Sequence, residues 1–457
     1  MSKRNFILLI IVLVIIILMF FGFLYFQSKT PAGEEGTGTN FISQFNPFGN
    51  GGKKNGDDTG TPPVDVSGYE PPTQNEELEL TKVSSMPVAG FSVFQKERLK
   101  EVNPTPALPL SGEGESVPPA KGDSGGQKPT PPATEFAPAL RYVDRATGNV
   151  YQTFADKIEE RKFSGTTIPK VYEAFFGNKG DAVIMRYLKA DGKIIQTFWG
   201  VLPKEVLGGD SAGEMEIRGT FLPDNITDIS LSPDTKSIFY LFNAGEGAIG
   251  TTLDLVAGKK VQVFDSAFTE WLSFWPNSKM ITLTTKPSFL VPGYMYKVDP
   301  LTKSLTQVLG KINGLTTLAS PDGKLVLYSD NALALRIYHT DTKETDLLGV
   351  KTLPEKCVWV KGSDFIYCSV PKAVISTSYP DTWYQGEVSF GDQIWKINVV
   401  SGNVEMIADL SAMEGGPASP SQGGEEIDGI KLSLDEGENY LFFVNKKDSF
   451  LWKLKIK

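Results

Sequence analysis

The sequence predicts an all-β fold. Residues 228–242 have the pattern of an alternating strand, a tight turn and a second strand, and residues 315–328 repeat it. In the second copy Pro321, Asp322 and Gly323 suit the last three positions of a type I turn. Aromatic and β-branched residues dominate the later segments, and long helical periodicity is missing. Each copy therefore predicts one β-hairpin of a repeated unit.

The spacing of these hairpins predicts a seven-bladed β-propeller. Residues 141–154 are similar to residues 186–198, and both read as the second and third strands of successive blades. Where no insertion intervenes, the innermost strands are about 40 to 45 residues apart, the period of a four-stranded blade. Their predicted starts lie near Gly90, Val171, Thr227, Glu270, Gly314, Lys356 and Gly429. Six blades is the alternative, if residues 78–96 form no strands.

Closure of the ring is predicted to use the start of the globular part. The last blade supplies only three strands before the chain ends at Lys457. Residues 78–83 have strand character and are the natural donor of the missing outer strand. Such pairing would remove the open sheet edges that the ring would otherwise expose.

The N-terminal segment predicts a membrane anchor. Residues 6–26 form an uncharged apolar run from Phe6 to Phe26, and Lys3 and Arg4 precede it. A helix of this length spans about 30 Å, one hydrocarbon core. The positive-inside rule then places residues 1–5 in the cytoplasm and the later residues outside. A cleaved signal peptide is the alternative, but the run is long and no small-residue cleavage site follows.

Two segments of low complexity divide the rest of the chain. Residues 27–77 are rich in Gly, Pro, Thr, Asp and Asn, which predicts a disordered tether. Residues 101–138 predict a disordered insertion inside the first blade, so residues 78–457 form one propeller domain. The net charge of -9 argues against a nucleic-acid-binding protein, which would present a basic face.

The Ser-Pro-Asp hairpins carry a family resemblance. Residues 231–235 and 319–323 resemble the WD-repeat-like blades of the Tol-system periplasmic propeller and of prolyl-oligopeptidase propeller domains. Residues 274–278 and 432–437 are weaker copies. The resemblance covers the second half of the chain and implies a fold but no activity. The order of anchor, tether and propeller is similar to that of bacterial surface propellers, which implies a place at the bacterial cell envelope.

No catalytic, metal or cofactor site is predicted. Ser124 and Ser211 lie in strings that mimic serine-hydrolase motifs, but Ser124 is in a Pro-rich tract and Ser211 in a Gly-rich loop between strands. Both would need a histidine, and the single one, His339, falls on a predicted strand. The sequence contains neither a calcium-loop pattern nor zinc-type Cys/His spacing. The Asp224–Asp228 cluster fits turn chemistry better than a calcium site.

The two cysteines are predicted to face each other. Residues 357–368 read as a hairpin that turns at Gly362 and Ser363, which places Cys357 directly opposite Cys368. Opposed residues have Cβ atoms about 4.5–5.5 Å apart, slightly longer than a disulfide prefers. A location outside the cytoplasm would permit oxidation. A disulfide and a pair of small buried apolar residues both remain open.

Loops on one face of the propeller are the predicted binding site. The connections from second to third strands, the b–c loops, open on one face around the central channel, and residues 371–392 form an unusually long one. Its aromatic side chains with a carboxylate suit recognition of a protein or a carbohydrate. The predicted binding residues are Tyr379, Asp381, Trp383, Tyr384, Phe289 and Tyr294. The alternative is that these rings fold over the blade and plug the channel.

Together these features predict a function in binding. The expected protein is a non-enzymatic, single-pass membrane protein whose propeller serves as a binding or assembly scaffold at the cell envelope. The alternative is a propeller-based enzyme, a lyase or glycosidase acting on envelope polymers. Such an enzyme would need carboxylates that converge over the channel, and the sequence offers only isolated acids.

Overall fold

The computed structural model describes residues 78–100, 133–205, 215–375, 378–411 and 426–457. Within these ranges 28 strands form seven four-stranded antiparallel sheets. The prediction of an all-β, seven-bladed propeller is confirmed. The predicted anchor, the tether and residues 101–132 of the insertion lie outside the described residues. In the described part of the chain, no helix combines the length and the apolar character needed to cross a membrane.

The strands are numbered β1 to β28 in chain order and named a to d outward within each blade. Blade 1 contains β2 (Val88–Leu99), β3 (Thr134–Asp144), β4 (Val150–Phe154) and β5 (Arg161–Lys162). Blade 2 contains β6 (Val171–Gly177), β7 (Ala182–Leu188), β8 (Ile195–Val201) and β9 (Arg218–Phe221). Blade 3 contains β10 (Ile226–Leu231), β11 (Ser237–Ala244), β12 (Gly247–Asp254) and β13 (Lys260–Ser266).

The remaining blades follow the same order. Blade 4 contains β14 (Trp271–Asn277), β15 (Met280–Thr285), β16 (Pro292–Val298) and β17 (Leu305–Asn313). Blade 5 contains β18 (Thr316–Ala319), β19 (Leu325–Ser329), β20 (Ala334–His339) and β21 (Thr345–Lys351). Blade 6 contains β22 (Cys357–Trp359), β23 (Phe365–Pro371), β24 (Asp392–Asn398) and β25 (Val404–Asp409). Blade 7 contains β26 (Gly429–Leu434), β27 (Tyr440–Asn445), β28 (Leu451–Lys455) and β1 (Leu80–Lys82).

Burial within a blade follows the apolar pattern of each strand. Strands b, such as β7 and β19, are buried along most of their length, because neighbouring blades cover both of their faces. Strands d are largely exposed, and every residue of β9 is exposed. The hydrophobic core therefore lies between adjacent blades. One such cluster joins Leu327 and Ile337 of blade 5 to Ile366 and Cys368 of blade 6.

The Ser-Pro-Asp motif builds the turn between strands a and b. In blade 5 the Ser320 hydroxyl donates to Asp322 Oδ1 at 2.6 Å and accepts the Leu325 N–H at 3.0 Å. In blade 3 the Ser232 hydroxyl donates to Asp234 Oδ1 at 2.7 Å and accepts from the backbone of the following strand. The side chains thus satisfy backbone donors that the tight turn would leave without partners.

The first described strand closes the ring, as predicted. Strand β1 pairs antiparallel with β28, with Leu80 opposite Leu454 and Lys82 opposite Trp452. Leu80 is only 2% exposed and packs in the cluster between blades 6 and 7. The pairing therefore contributes both backbone hydrogen bonds and buried apolar area to blade 7.

The hairpin of blade 1 is longer than predicted. Strand β3 begins at Thr134, before the predicted end of the insertion at residue 138, and Thr134 lies opposite Leu99 of β2. The low-complexity composition of this segment gives no strand signal for the first residues of β3. At the inner end of β2, a Cβ on Gly90 would lie 1.9 Å from the Ala174 carbonyl oxygen. Only glycine allows blades 1 and 2 to approach this closely.

Candidate binding face, its cap and the central channel

The long b–c loop of blade 6 covers part of one face of the propeller. Because strands alternate in direction, the b–c and d–a connections share one end of the ring, which we call the b–c face. The loop joins β23 to β24, and the described parts are residues 372–375 and 378–391. We call it the cap. It contains one short helical turn, α1 (Asp381–Tyr384).

Two predicted binding residues form the interior of the cap. Tyr379 is 1% exposed and Trp383 is 4% exposed. Both rings pack with Phe390, with centroid separations of 5.7 Å and 6.4 Å, and the cluster includes Leu333 of blade 5 and Leu353. Burial of three aromatic rings holds the cap on the blade. In this conformation Tyr379 and Trp383 are buried and support the loop.

The predicted residues Asp381 and Phe289 join the cap to blade 4. Asp381 Oδ2 accepts the backbone N–H of Phe289 and, at 3.4 Å, the hydroxyl of Ser288. Asn331 of blade 5 donates to the Phe289 carbonyl at 3.0 Å. The cap therefore connects loops of three blades. The sixth predicted residue, Tyr294, lies on β16 outside these contacts, and its N–H donates to Thr285.

Tyr384 links the cap to an unusual carboxyl group. Its hydroxyl donates to Glu355 Oε1, and the ring is 39% exposed. Glu355 lies in the short helical turn that precedes β22. Burial, and then the charge of Asp228 on blade 3, raise the pKa of Glu355 to about 7 although Lys356 opposes this. The charge of a carboxyl group on blade 3 thus acts on one that directly precedes blade 6.

The innermost strands line the channel with charged side chains. Glu173 of β6 pairs with Arg186 and lies 4.0 Å from Lys431 of β26. Asp228 accepts both the N–H and the hydroxyl of Ser273 at 2.6 Å, and burial raises its pKa. Burial also lowers the pKa of Lys431. Charges of both signs therefore lie close together near the b–c face.

Farther along the channel the lining becomes more apolar. A cavity of about 380 Å³ opens between the first strands of blades 7, 1, 2 and 3. Its apolar lining includes Phe91, Phe175, Leu231 and Leu432, and Lys431 borders it. The cavity is large enough to admit a small molecule or a side chain.

A buried ionic cluster lies directly beneath the cap. The side chains of Lys356, Asp392 and Asp428 are each 0% exposed. Lys356 Nζ donates to Asp392 Oδ2 at 2.7 Å and to the Gly429 carbonyl at 3.0 Å, and it contacts Asp428 Oδ1. Burial raises the pKa of Asp392 to about 6, although Lys356 opposes this. We call these three side chains the buried triad.

Sequence analysis missed the buried triad. The sequence indicates only that a strand starts near Lys356, and no motif marks Asp392 or Asp428. Lys356 and Asp428 directly precede β22 and β26, and Asp392 is the first residue of β24, so all three lie at the b–c face. Such side chains can meet between adjacent blades. Which ones do so depends on the depth of each loop, which the sequence does not contain.

The cysteines occupy paired positions in blade 6. Cys357 of β22 lies opposite Cys368 of β23, and the structure joins their sulfur atoms at 2.13 Å. Both are buried against blade 5. The disulfide therefore cross-links the two strands of the β22–β23 hairpin.

The rejected hydrolase motifs gain no support from the fold. His339 Nε2 lies 2.9 Å from Asp346 Oδ2 on the outer part of blade 5, where the described residues bring no serine hydroxyl to it. Ser124 and Ser211 lie outside the described residues. Among the residues that the structure describes, no group of three or more His, Cys, Asp or Glu side chains is placed to hold a metal ion.

Comparison with solved structures shows distant likenesses. No family matches the sequence, and neither does any curated protein. An oligogalacturonate lyase in complex with manganese is 10% identical, with a TM-score of 0.46 over 70% of this chain and 85% of that one. An oligogalacturonate lyase from Vibrio parahaemolyticus is 8% identical, with a TM-score of 0.46 over 70% of this chain and 86% of that one. Neither likeness bears on the activity of this chain.

The raised pKa of Glu355 predicts a pH-dependent stability. Between its ordinary value of 4.5 and about 7, folded Glu355 keeps a proton that the unfolded chain releases. The free energy of unfolding therefore falls as pH rises through this window. Glu355→Gln cannot ionise, so we expect a higher Tm than the parent at about pH 8 and a similar Tm at about pH 4, measured by calorimetry.

The exposed Glu344 on blade 5 provides the matched control. Glu344→Gln should leave the difference in Tm between the two pH values unchanged. If Glu355→Gln shows the same pH dependence as the parent, the Glu355 carboxyl does not titrate in this environment.

Proposed function

We propose that this chain is a membrane-tethered propeller that binds a protein partner through its b–c face, outside the cytoplasmic membrane. The proposal rests on exposed apolar side chains in two loops of that face. Leu290 and Val291 of blade 4 are 71% and 56% exposed, and Ile375 of the cap is 78% exposed. The half-exposed ring of Tyr384 lies on the same cap.

Hydrogen bonds join the two loops. Asp381 of the cap accepts the Phe289 N–H next to Leu290, so the apolar side chains lie on segments that hydrogen bonds hold together. Surface residues of this type are common singly, but several on adjoining loops are typical of protein interfaces. We name Leu290, Val291, Ile375 and Tyr384 the rim patch. It replaces Tyr379 and Trp383, which are buried, as the proposed contact surface.

The proposed location rests on two further features. The apolar run of residues 6–26, with Lys3 and Arg4 before it, supports a signal anchor with a cytoplasmic N-terminus. The joined cysteines Cys357 and Cys368 support an oxidising compartment for the propeller. A tether between the anchor and the propeller would let the rim patch reach a partner at the envelope.

Partner capture tests the proposal. The full chain is solubilised from membranes in detergent and the co-purifying proteins are quantified by mass spectrometry. A variant carrying Leu290→Ser, Val291→Ser and Ile375→Ser should lose the specific partner about tenfold or more, because a few side chains supply most of the binding energy of an interface and truncation of one of them costs more than about 1 kcal/mol.

The opposite face supplies a matched control. Leu301 and Val400 lie on turns between strands c and d and are 85% and 82% exposed. Leu301→Ser with Val400→Ser removes similar apolar area from the other end of the ring and should retain the partner. Equal loss in both variants, or no loss in either, would contradict binding at the rim patch.

A second function is supported by the channel carboxyl groups. Asp228 and Glu355 both have raised pKa values, and the charge of the first contributes to the shift of the second. A pair of this kind could serve as general acid and base in a propeller-based enzyme acting on envelope polymers. Glu355→Gln distinguishes the functions, since it would abolish turnover of a polymer but leave capture by the rim patch intact.

A further inference from the structure

The buried triad places one amine and two carboxyl groups together in the protein interior. Lys356, Asp392 and Asp428 come from the starts of β22, β24 and β26, and none of their side chains is exposed. Burial of an ion pair gains little when its charges lose their hydration. Reaction between the amine and a carboxyl group would remove both charges.

We propose that Lys356 and Asp428 join in an intramolecular isopeptide bond, with Asp392 as the acid that carries the proton. Lys356 Nζ contacts Asp428 Oδ1, one bond from the carbon that it would attack. The same nitrogen donates to Asp392 Oδ2 at 2.7 Å. Contacts of this kind hold the reacting groups in a near-attack arrangement without further movement.

The reaction is a condensation that needs no other reactant. Transfer of a proton from the Lys356 ammonium group to Asp428 Oδ1 gives a neutral amine and a neutral acid, which the apolar surroundings favour over separated charges, while Asp392 stays ionised. The amine attacks Cγ of Asp428 and a C–N bond forms. Asp392 accepts a proton from the nitrogen and delivers it to Oδ1. The C–Oδ1 bond breaks, water leaves, and an amide remains.

The cap supplies donors for the charge that develops during attack. Asp428 Oδ2 accepts the indole N–H of Trp383 at 3.0 Å and the backbone N–H of Phe390 at 3.1 Å. When Nζ attacks Cγ, negative charge grows on this oxygen. Two fixed N–H donors are the arrangement that stabilises such an oxyanion. This gives the burial of Trp383 a chemical role.

The surroundings of Asp392 suit a proton carrier. Its Oδ2 accepts the Gly429 N–H at 2.7 Å, whereas its buried Oδ1 has no hydrogen-bond partner among the described residues. The raised pKa, about 6, lets the group hold a proton near neutral pH. A second cation, Lys446, lies 4.9 Å from the Trp383 ring, and the charge of Asp428 acts on its amine. Lys356 Nζ, which contacts Asp428 Oδ1, is the amine placed for attack.

The bond would be visible in the mass of the full chain. After denaturation and reduction of the disulfide, the expected mass is lower than the sequence mass by one water molecule. Trypsin does not cleave at an acylated lysine. A branched peptide is therefore expected, in which residues 352–361 are linked through Lys356 to Asp428 of residues 397–431. Fragmentation of this peptide locates the branch.

Variants separate the bond from a simple ion pair. Asp428→Asn should react with loss of ammonia and give the same final mass as the reacted parent. Asp392→Asn, which cannot relay a proton, should keep the full sequence mass of that variant, with circular dichroism confirming its fold. Asp409 pairs with Lys372 at 2.6 Å in a partly exposed position of the same tryptic peptide. Asp409→Asn is the matched control and should leave the branch in place.

The mass and the tryptic peptides of the unsubstituted chain test the proposal even if a variant does not fold. A folded chain with the full sequence mass after reduction, and with normal cleavage after Lys356, would overturn the proposal. A branch that persists in Asp392→Asn would overturn the role of Asp392. Partner capture by the rim patch depends on neither result, so the two proposals stand or fall separately.

Discussion

Lys356→Met is expected to lower the free energy of unfolding by about 3–5 kcal/mol, the usual effect of removing one partner from a buried ion pair. Methionine has a similar length but cannot neutralise Asp392 or Asp428. Both carboxyl groups would remain fully buried, and like charges would repel each other beside the Gly429 carbonyl. If the isopeptide bond is present, its loss adds to this destabilisation because the cross-link restricts the unfolded chain.

Chemical denaturation followed by tryptophan fluorescence measures this effect. Lys372→Met is the matched control, because Lys372 and Asp409 form an ion pair at a similar distance but both side chains are partly exposed. Its expected loss is under about 1 kcal/mol, as for surface pairs. If Lys356→Met and Lys372→Met prove equally mild, the triad is not the dry, fully paired cluster that the contacts describe.

Leu80→Ala is the second substitution with a large expected effect on the free energy of unfolding. The side chain is 2% exposed and packs among residues of blades 6 and 7. Its truncation should lower the free energy of unfolding by about 2–5 kcal/mol, the range for buried leucine. Since β1 has only three residues, weaker packing should also loosen its pairing with β28. Faster amide exchange is then expected at Lys455, whose N–H donates to the Glu79 carbonyl just before β1.

A substitution at the neighbouring position of β1 is the matched control for changes to the strand itself. Thr81 alternates to the other side of β1 and is partly exposed. Thr81→Ala should therefore change stability by less than about 0.5 kcal/mol, as most surface substitutions do. Equal stability of Leu80→Ala and the parent would mean that closure of the ring does not depend on this strand.

The fold could be predicted because its information is local. Each hairpin has its own alternation of apolar and polar residues and its own turn residues. Ser320 and Asp322 therefore predict a turn independently of the other blades. Counting strands then identified residues 78–83 as the closing strand. Composition alone does not predict where β3 begins. The first residues of β3 lie beside a Pro-rich tract, and their pairing with β2 is what defines them as a strand.

The site could be predicted only in part. The long b–c loop stood out by length and aromatic content, but a binding loop and a folded cap share that composition. Burial of Trp383 depends on Asp428 and Phe390, which the sequence does not place beside it. Exposed aliphatic residues such as Leu290 carry no local signal that separates them from core residues. The rim patch and the buried triad therefore emerge only from tertiary structure.

The pairing of β1 with β28 has a consequence for biosynthesis. Ser84 accepts the Leu451 N–H, a contact between residues 367 positions apart. During translation β1 leaves the ribosome long before its partner exists, so it must wait unpaired while the intervening blades emerge. Contacts of such separation form slowly, because the chain must first lose the entropy of a very long loop. Closure of the ring therefore waits for the synthesis of β28, and until then the growing chain exposes an unpaired strand edge that favours aggregation.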